Sequence, residues 1–251
     1  MLRVALLLWL AALPLRAEEV VLGLSKDRVA ITATFEGSDI LIFGAIKRET
    51  AIPEVPLDVI ITVSGPSRPA TVRRKERVLG IWVNTDSVDL DAAPTFYAVA
   101  TSGPLEEVLS DTEDLRHRVS IPRAIRSVGA ASMAADAENF TDALIRIRKR
   151  QDAYQLLENR VAFDEQTLFR TAISMPANLT EGDYLTRIFL TREGRVVSQF
   201  ETVIDVRKVG VERWLFTLSR EQPLLYGLMS LAIAIAAGWG ASAVFQVLRR
   251  S

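Results

Sequence analysis

One uninterrupted apolar segment near the C-terminus, Leu224 to Leu248, constrains this chain more than any other feature of its sequence. Its 25 residues include no Asp, Glu, Lys, Arg or His. As an α-helix rising about 1.5 Å per residue, the segment extends roughly 37 Å, which is enough to cross a hydrocarbon core of about 30 Å. Arg249 and Arg250 follow at once, and positive residues favour the cytoplasmic side of a membrane. The sequence therefore predicts a transmembrane helix over 224–248 with a cytoplasmic tail.

The N-terminus carries a second, shorter apolar run. Arg3 precedes ten apolar residues, and the small Ala17 stands just before two acidic residues. This run is too short to span a bilayer and has the pattern of a secretory signal peptide, with an uncleaved signal anchor as the alternative. We expect residues 1–17 to be removed and residues 18–210 to form a periplasmic domain. The protein would then be held in a bacterial inner membrane by one helix.

The segment between these two ends is mildly acidic and contains no cysteine. It carries all 31 Asp and Glu residues, whereas Arg3, Arg16, Arg249 and Arg250 lie outside it. Such a charge balance does not favour binding to nucleic acid. Without cysteine, the chain can form neither a disulfide nor a thiol nucleophile. The partner that the sequence predicts most directly is the lipid bilayer.

Alternation of apolar and polar residues dominates the first part of this segment and returns near its end, which is typical of half-buried strands. The predicted strands are Val20–Leu24, Val29–Phe35, Ile40–Ile46, Leu57–Val63, Val78–Asn84, Phe96–Thr101, Leu168–Ser174, Tyr184–Thr191 and Val196–Arg207. Gly194 lies in a predicted hairpin turn between the last two strands. Short strands separated by Gly, Pro and Asp turns favour a mainly β fold, an immunoglobulin-like antiparallel β-sandwich. The basic stretch Arg73–Arg77 is interpreted as a solvated strand or turn, with phosphate binding as the alternative.

A helical insertion is predicted around residues 104–160. Leu105–Leu115 has the pattern of short helical turns, and from Asp136 to Val161 apolar residues recur at about 3.6-residue spacing. We expect the longer helix to lie on a sheet face, and a self-associating heptad helix is the alternative. Residues 211–223 are predicted to be a juxtamembrane segment.

The predicted membrane helix has one face of small residues. Ser230, Ala234, Gly238, Ser242 and Gln246 repeat every four residues. Small side chains let a second helix approach closely, and a glutamine can form a hydrogen bond across the contact. We interpret this face as a helix-packing surface. The alternative is that it reflects only the usual composition of membrane helices.

Signals for catalysis are few. His117 is the single histidine, and no serine stands in a Gly-x-Ser-x-Gly motif. Asp86, Asp89 and Asp91 could collect a Ca²⁺ ion, but their spacing does not fit an EF-hand, so a solvated strand edge is the simpler interpretation. A glycosidase-like pair of carboxylates, brought together by the fold, is an alternative that the sequence leaves open. We therefore predict no catalytic residue, no metal ligand and no cofactor.

Four segments together give the chain a family likeness: Gly80–Asn84 (GIWVN), Ala93–Ala100 (APTFYAVA), Ala143–Arg146 (ALIR) and Gln222–Gly227 (QPLLYG). With the N-terminal signal, they resemble the alphaproteobacterial putative transmembrane protein family. The resemblance implies a signal peptide, a periplasmic domain and one C-terminal transmembrane helix. It implies no established activity, and it implies that members are often encoded near transporters resembling sulfite exporters.

These observations favour an accessory or binding subunit of a membrane complex, with a transporter-like membrane protein or a second copy as partner. The alternatives are a membrane-tethered periplasmic hydrolase and a purely structural envelope protein. A cleft with converging carboxylates would favour the hydrolase, whereas an exposed apolar groove would favour the binding subunit.

Overall fold

A computed structural model describes residues 19–24, 28–31, 37–48, 55–126, 137–208 and 211–250. The predicted signal peptide (1–17), the predicted helix start at Asp136 and Ser251 of the predicted tail lie outside the described residues. Strand is the main secondary structure, and one long apolar helix stands at the C-terminus. The prediction of a mainly β fold with a C-terminal apolar helix is therefore confirmed.

The described residues form twelve strands and six helices. The strands are β1 (Glu19–Leu24), β2 (Arg28–Ile31), β3 (Ser38–Lys47), β4 (Asp58–Ser64), β5 (Ser67–Val78), β6 (Ile81–Pro94), β7 (Tyr97–Thr101), β8 (Tyr154–Leu157), β9 (Ala162–Asp164), β10 (Leu168–Met175), β11 (Gly182–Arg192) and β12 (Arg195–Lys208). The helices are α1 (Leu105–Val108), α2 (Asp111–His117), α3 (Ile121–Ala124), α4 (Ala137–Arg150), α5 (Val211–Glu221) and α6 (Pro223–Arg250).

The strands are arranged in three sheets. A four-stranded antiparallel sheet has the order β1-β3-β10-β9. A six-stranded sheet has the order β2-β12-β11-β4-β7-β8, in which β8 runs parallel to β7. β5 and β6 form a separate two-stranded hairpin. Each large sheet thus combines strands from before and after the helical insertion.

Burial along the strands shows which sheet faces are covered. On β3, Ile40 and Ile42 are buried whereas Leu41 and Phe43 are exposed, so one face of the four-stranded sheet is covered and the other is open. On β4, every residue from Val59 to Val63 is buried, as expected of a strand covered on both faces. The six-stranded sheet is therefore the central layer, and β10 of the four-stranded sheet lies against its β7.

A buried apolar cluster covers the other face of the six-stranded sheet. It joins side chains of β4, β7 and β11 to side chains of the short helices, of α4 and of the β5-β6 base. Its members include Ile60, Leu90, Tyr97, Ile121, Phe140, Leu144, Tyr154 and Phe189. Because α4 contributes Phe140 and Leu144 to this cluster, its apolar stripe packs within the chain. This is the arrangement expected of a helix that lies on a sheet.

Tyr184, at the start of β11, contacts the loop before this strand and Phe96, which precedes β7. It is fully buried, its hydroxyl donates a hydrogen bond to the carbonyl of Thr180 at 2.8 Å, and its ring lies 6.0 Å from that of Phe96. A tyrosine that bonds a few residues upstream is the corner motif of immunoglobulin sandwiches. The immunoglobulin-like detail remains a prediction, with which this corner agrees.

Two predicted elements differ from the structure. Val78–Asn84 is not one strand, because β5 ends at Val78 and β6 begins at Ile81. Leu79 and Gly80 form the turn between them, with φ of 51° and 89°. Leu79 occupies the position of this turn where asparagine is usual, and it continues the apolar pattern. The sequence pattern therefore does not show where the turn lies.

The predicted helix from Asp136 to Val161 is also too long. α4 ends at Arg150, and Asp152 takes a left-handed conformation with φ of 53°. A left-handed residue after the last turn is a common way to end a helix. Tyr154 then enters β8, so its helical spacing from α4 is accidental.

The C-terminal helices belong to a compact unit of residues 30–35 and 207–251, separate from the one that holds most of the strands. α5 covers most of the predicted juxtamembrane segment. α6 begins at Pro223, which suits a first helical position because no N–H is needed there. The window Pro223–Ser242 has a mean hydropathy of 1.7, and none of it is buried. α6 is therefore long and apolar enough to cross a membrane.

Candidate functional site

The open face of the four-stranded sheet carries an unusual set of exposed apolar side chains. Val21 of β1, Leu41 and Phe43 of β3 and Leu168 of β10 are 54%, 43%, 43% and 55% exposed. They border a shallow groove with a volume of about 620 Å³. Isolated exposed apolar residues are ordinary, whereas contiguous apolar patches are typical of binding surfaces, so this face is a candidate functional site.

Two glycines shape this groove. Gly23 on β1 lies opposite Phe43 on β3, and a Cβ at position 23 would overlap the phenyl ring. The ring therefore lies over the glycine backbone of the neighbouring strand. Gly44, the next residue on β3, accommodates a ring on the inner face of the sheet in the same way, because a Cβ there would overlap the ring of Phe169. The glycines allow one aromatic ring to lie flat on each face of the sheet.

The charged rim of the groove is small. Arg170 of β10 lies directly opposite Phe43 in the register, and its guanidinium is 3.7 Å from the carboxylate of Asp164. Both side chains are more than half exposed, so this ion pair contributes little to stability. The groove is thus an apolar surface with one ion pair at its edge, and its chemistry suits an apolar partner.

A second pocket contains two carboxylates, Asp39 and Asp152. Asp39 accepts a hydrogen bond from the Ser174 hydroxyl at 2.6 Å, and the Gln155 amide donates to the main-chain carbonyls of Asp152 and Ser174 at 2.8 Å. Both aspartates are exposed. The general acid of a glycosidase is usually held in apolar surroundings, which neither residue has. The hydrogen bonds in this pocket indicate a structural role for its polar side chains.

His117 is less exposed than its two flanking arginines suggest. Its side chain is 21% exposed, packs edge-on against Phe189 at 5.5 Å, and places Nε2 3.5 Å from Glu113. Glu113 is itself buried and accepts hydrogen bonds from the Arg116 guanidinium at 2.7 Å and the Val196 amide at 3.3 Å. The histidine and the glutamate together hold α2 against the β11-β12 hairpin.

The end of α2 is held by Arg187 and Tyr97. The Arg187 guanidinium donates to the carbonyls of His117 and Arg118 at 2.7 and 3.1 Å, which is favourable because the C-terminus of a helix carries partial negative charge. The Tyr97 hydroxyl donates to the Val119 carbonyl at 2.8 Å. Burial raises the pKa of Tyr97 to about 12, against a smaller lowering by Arg187. These contacts are structural, and they hold the short helices on the central sheet.

The three aspartates considered for Ca²⁺ lie on β6. Asp86 is 3.7 Å from the Arg74 guanidinium, and Asp89 accepts a hydrogen bond from the Thr71 hydroxyl at 2.6 Å. Across the described ranges, no group of three or more His, Cys, Asp or Glu side chains is placed to hold a metal ion. Asp86 and Asp89 instead interact with Arg74 and Thr71 on the neighbouring strand β5, as expected of a solvent-exposed strand.

The predicted helix-packing residues lie on α6. Ser230, Ala234, Gly238 and Ser242 are exposed in the single chain, whereas the side chain of Gln246 is outside the part that the structure describes. A Cβ added at Gly238 would have no neighbour within 4 Å. This face has room for a second helix.

Sequence reasoning did not identify the groove. Ile40 to Phe43 is a continuous apolar run, which is typical of a strand covered on both faces. The structure covers only the isoleucines and leaves Leu41 and Phe43 open. The apolar side chains are visible in the sequence. One strand alone does not show whether other elements cover both of its faces.

Comparison with known families is consistent with this architecture. A family model described as putative transmembrane protein (Alph_Pro_TM) matches residues 19–247, from the first strand into the last turns of α6. No curated protein shows significant sequence similarity to the chain.

Proposed function

The chain belongs to the alphaproteobacterial putative transmembrane protein family, and we propose that it is an accessory or binding subunit of a membrane complex. In this proposal α6 anchors the protein in the inner membrane and the β domain stands in the periplasm. A transporter-like membrane protein is the proposed partner, with a second copy of the chain as the alternative.

The observation that carries the proposal is the apolar groove. Leu41, Phe43, Val21 and Leu168 expose apolar surface on a sheet that is otherwise well packed on its inner face. Fully burying a side chain of this size is worth about 1.5–3 kcal/mol, and these four are already about half covered, so the groove adds to the binding free energy without by itself accounting for a stable complex. A hydrolase needs polar groups that converge in a cleft, and the groove offers apolar contacts instead.

Substitution in the groove tests this role. We expect Phe43→Glu to reduce co-purification of the partner in mild detergent by about tenfold or more, because a charge would be buried on binding. Val203→Glu is the matched control, since Val203 is 49% exposed on β12 of the other sheet. Both variants should keep the wild-type melting temperature within a few degrees. Equal recovery of the partner by both variants would exclude the groove as the binding surface.

The small-residue face of α6 is proposed as a second contact, made within the membrane. We expect Gly238→Leu to weaken association by about a few-fold to thirtyfold, because the leucine holds the neighbouring backbone away. A Cβ added at position 238 meets no other atom within 4 Å, so we expect the substitution to leave the fold of the single chain unchanged. Ala232→Leu lies about a third of the way round the helix and should be tolerated. If both variants associate as well as the wild type, the small residues are only compositional.

A further inference from the structure

The β5-β6 hairpin extends beyond the core as an arm. Val72 and Val88 are the last buried pair, and the strands beyond them are exposed or half-buried up to the turn at Leu79 and Gly80. Leu79 lies seven positions beyond Val72 along the strand, a length of about 23 Å. The arm therefore carries its tip well away from the apolar cluster at its base.

The tip is apolar and strongly exposed. Leu79 is 101% exposed, Trp82 69%, Ile81 66% and Val78 45%. Leu79 and Gly80 both have positive φ, as in a type I′ turn, where asparagine and glycine are favoured. A leucine there costs conformational energy and gains no contact, so the stability of the hairpin does not account for it.

Basic side chains follow the tip along one face of the arm. The register places Arg77 opposite Trp82, Lys75 opposite Asn84 and Arg73 opposite Ser87. All three basic residues are exposed. They lie two, four and six residues from Leu79, which corresponds to distances of about 7, 13 and 20 Å along the strand.

We propose that this tip inserts into the interface of a lipid bilayer, with the basic residues at anionic headgroups. Interfacial segments bury their apolar side chains about 5–10 Å deep, which is the extent of the tip. Trp82 suits the boundary between headgroups and acyl chains. Arg77 then lies at that boundary and Lys75 lies among the phosphates, while Arg73 stands just above them, within reach of the negative surface potential of anionic lipid.

The shape of the tip favours lipid over a protein partner. Val78 and Ile81 lie on one face of the hairpin and Trp82 on the other, while Leu79 stands at the apex. A protein partner would have to enclose this tip from both sides, whereas acyl chains surround it without a shaped site. The chain is also a member of a transmembrane family and carries α6, so a bilayer is always at high local concentration. This inference depends on the membrane anchor and not on the partner of the groove.

The test uses the full chain, whose lack of cysteine permits a single introduced label. Ile81→Cys is labelled with an environment-sensitive fluorophore, and the protein is reconstituted at one copy per nanodisc of phosphatidylcholine and phosphatidylglycerol. Ser87→Cys, exposed near the base of the same arm, is the matched control. We expect the label at position 81 to shift to the blue and to be quenched several-fold more by tail-spin-labelled lipid than the label at position 87.

Two further measurements separate insertion from a label artefact. Leu79→Asn suits the turn better, so the melting temperature should be kept or raised while quenching at position 81 falls several-fold. Replacing phosphatidylglycerol by phosphatidylcholine should reduce the inserted fraction by about tenfold, because three basic residues lose their counter-charge. Unchanged insertion in neutral lipid would overturn the role of the basic residues.

Two results would overturn the insertion itself. A water-exposed label at position 81 in discs that contain only lipid and one chain would exclude the bilayer and favour a protein partner for the tip. Equal quenching at positions 81 and 87 would mean that the domain lies flat on the membrane.

Discussion

Alkaline phosphatase fused after Val209 is expected to be active in whole cells, and the same enzyme fused after Ser251 is expected to be inactive. The phosphatase matures only where disulfides can form, so its activity reports export. The difference should be on the order of tenfold or more, because the positive residues Arg249 and Arg250 favour the cytoplasmic side.

The fusion pair tests each part of the proposed topology separately. The reverse pattern would overturn the orientation. Sequencing the N-terminus of the purified protein tests the signal peptide, since a chain that begins at Glu18 has been cleaved after Ala17. A chain that still begins at Met1 would show an uncleaved anchor and a second membrane attachment.

Alkaline pH is expected to destabilise the fold strongly between about pH 10 and pH 12. Burial raises the pKa of both Tyr97 and Tyr154 from 10.0 to about 12. Above pH 10 the unfolded chain releases these protons while the folded chain retains them, so the free energy of unfolding falls as the pH rises and levels off above pH 12. Each shift of about two pKa units corresponds to roughly 3 kcal/mol, which is a substantial part of the total stability of a typical domain.

The measurement is denaturant unfolding of the full chain in detergent from neutral to alkaline pH. The double variant Tyr97→Phe and Tyr154→Phe should show a shallower pH dependence. It should also be less stable at neutral pH by about 1–3 kcal/mol for each lost hydrogen bond, because the carbonyls of Val119 and Pro94 lose their donors. The same slope in the variant and the wild type would show that other groups control alkaline unfolding.

Prediction from the sequence succeeded where local rules act alone. The β11-β12 hairpin followed from Gly194, which has a φ of 73° in the turn between the two strands. The membrane helix followed from its length and composition. Neither depends on what the rest of the chain contributes.

Prediction failed where tertiary contacts decide. The turn at Leu79 has no local turn residue before Gly80, so its position is visible only from the pairing of β5 with β6. Tyr154 has helical spacing from α4, yet pairing with Tyr97 on β7 places it in a strand. The groove depends on which face of β3 is left uncovered, and this is a property of the whole β domain.

The pairing of β3 with β10 has a consequence for biogenesis. Asp39 and Ser174 are hydrogen-bonded neighbours although they stand 135 positions apart in the chain. When β3 leaves the ribosome, its partner β10 has not yet been made, and loop closure over such a distance is slow. Until β10 arrives, the apolar run Ile40–Phe43 presents an unpaired strand edge of the kind that aggregates. A chaperone that holds the first hundred residues until β10 has been made would therefore raise the yield of folded protein more than one that acts after release.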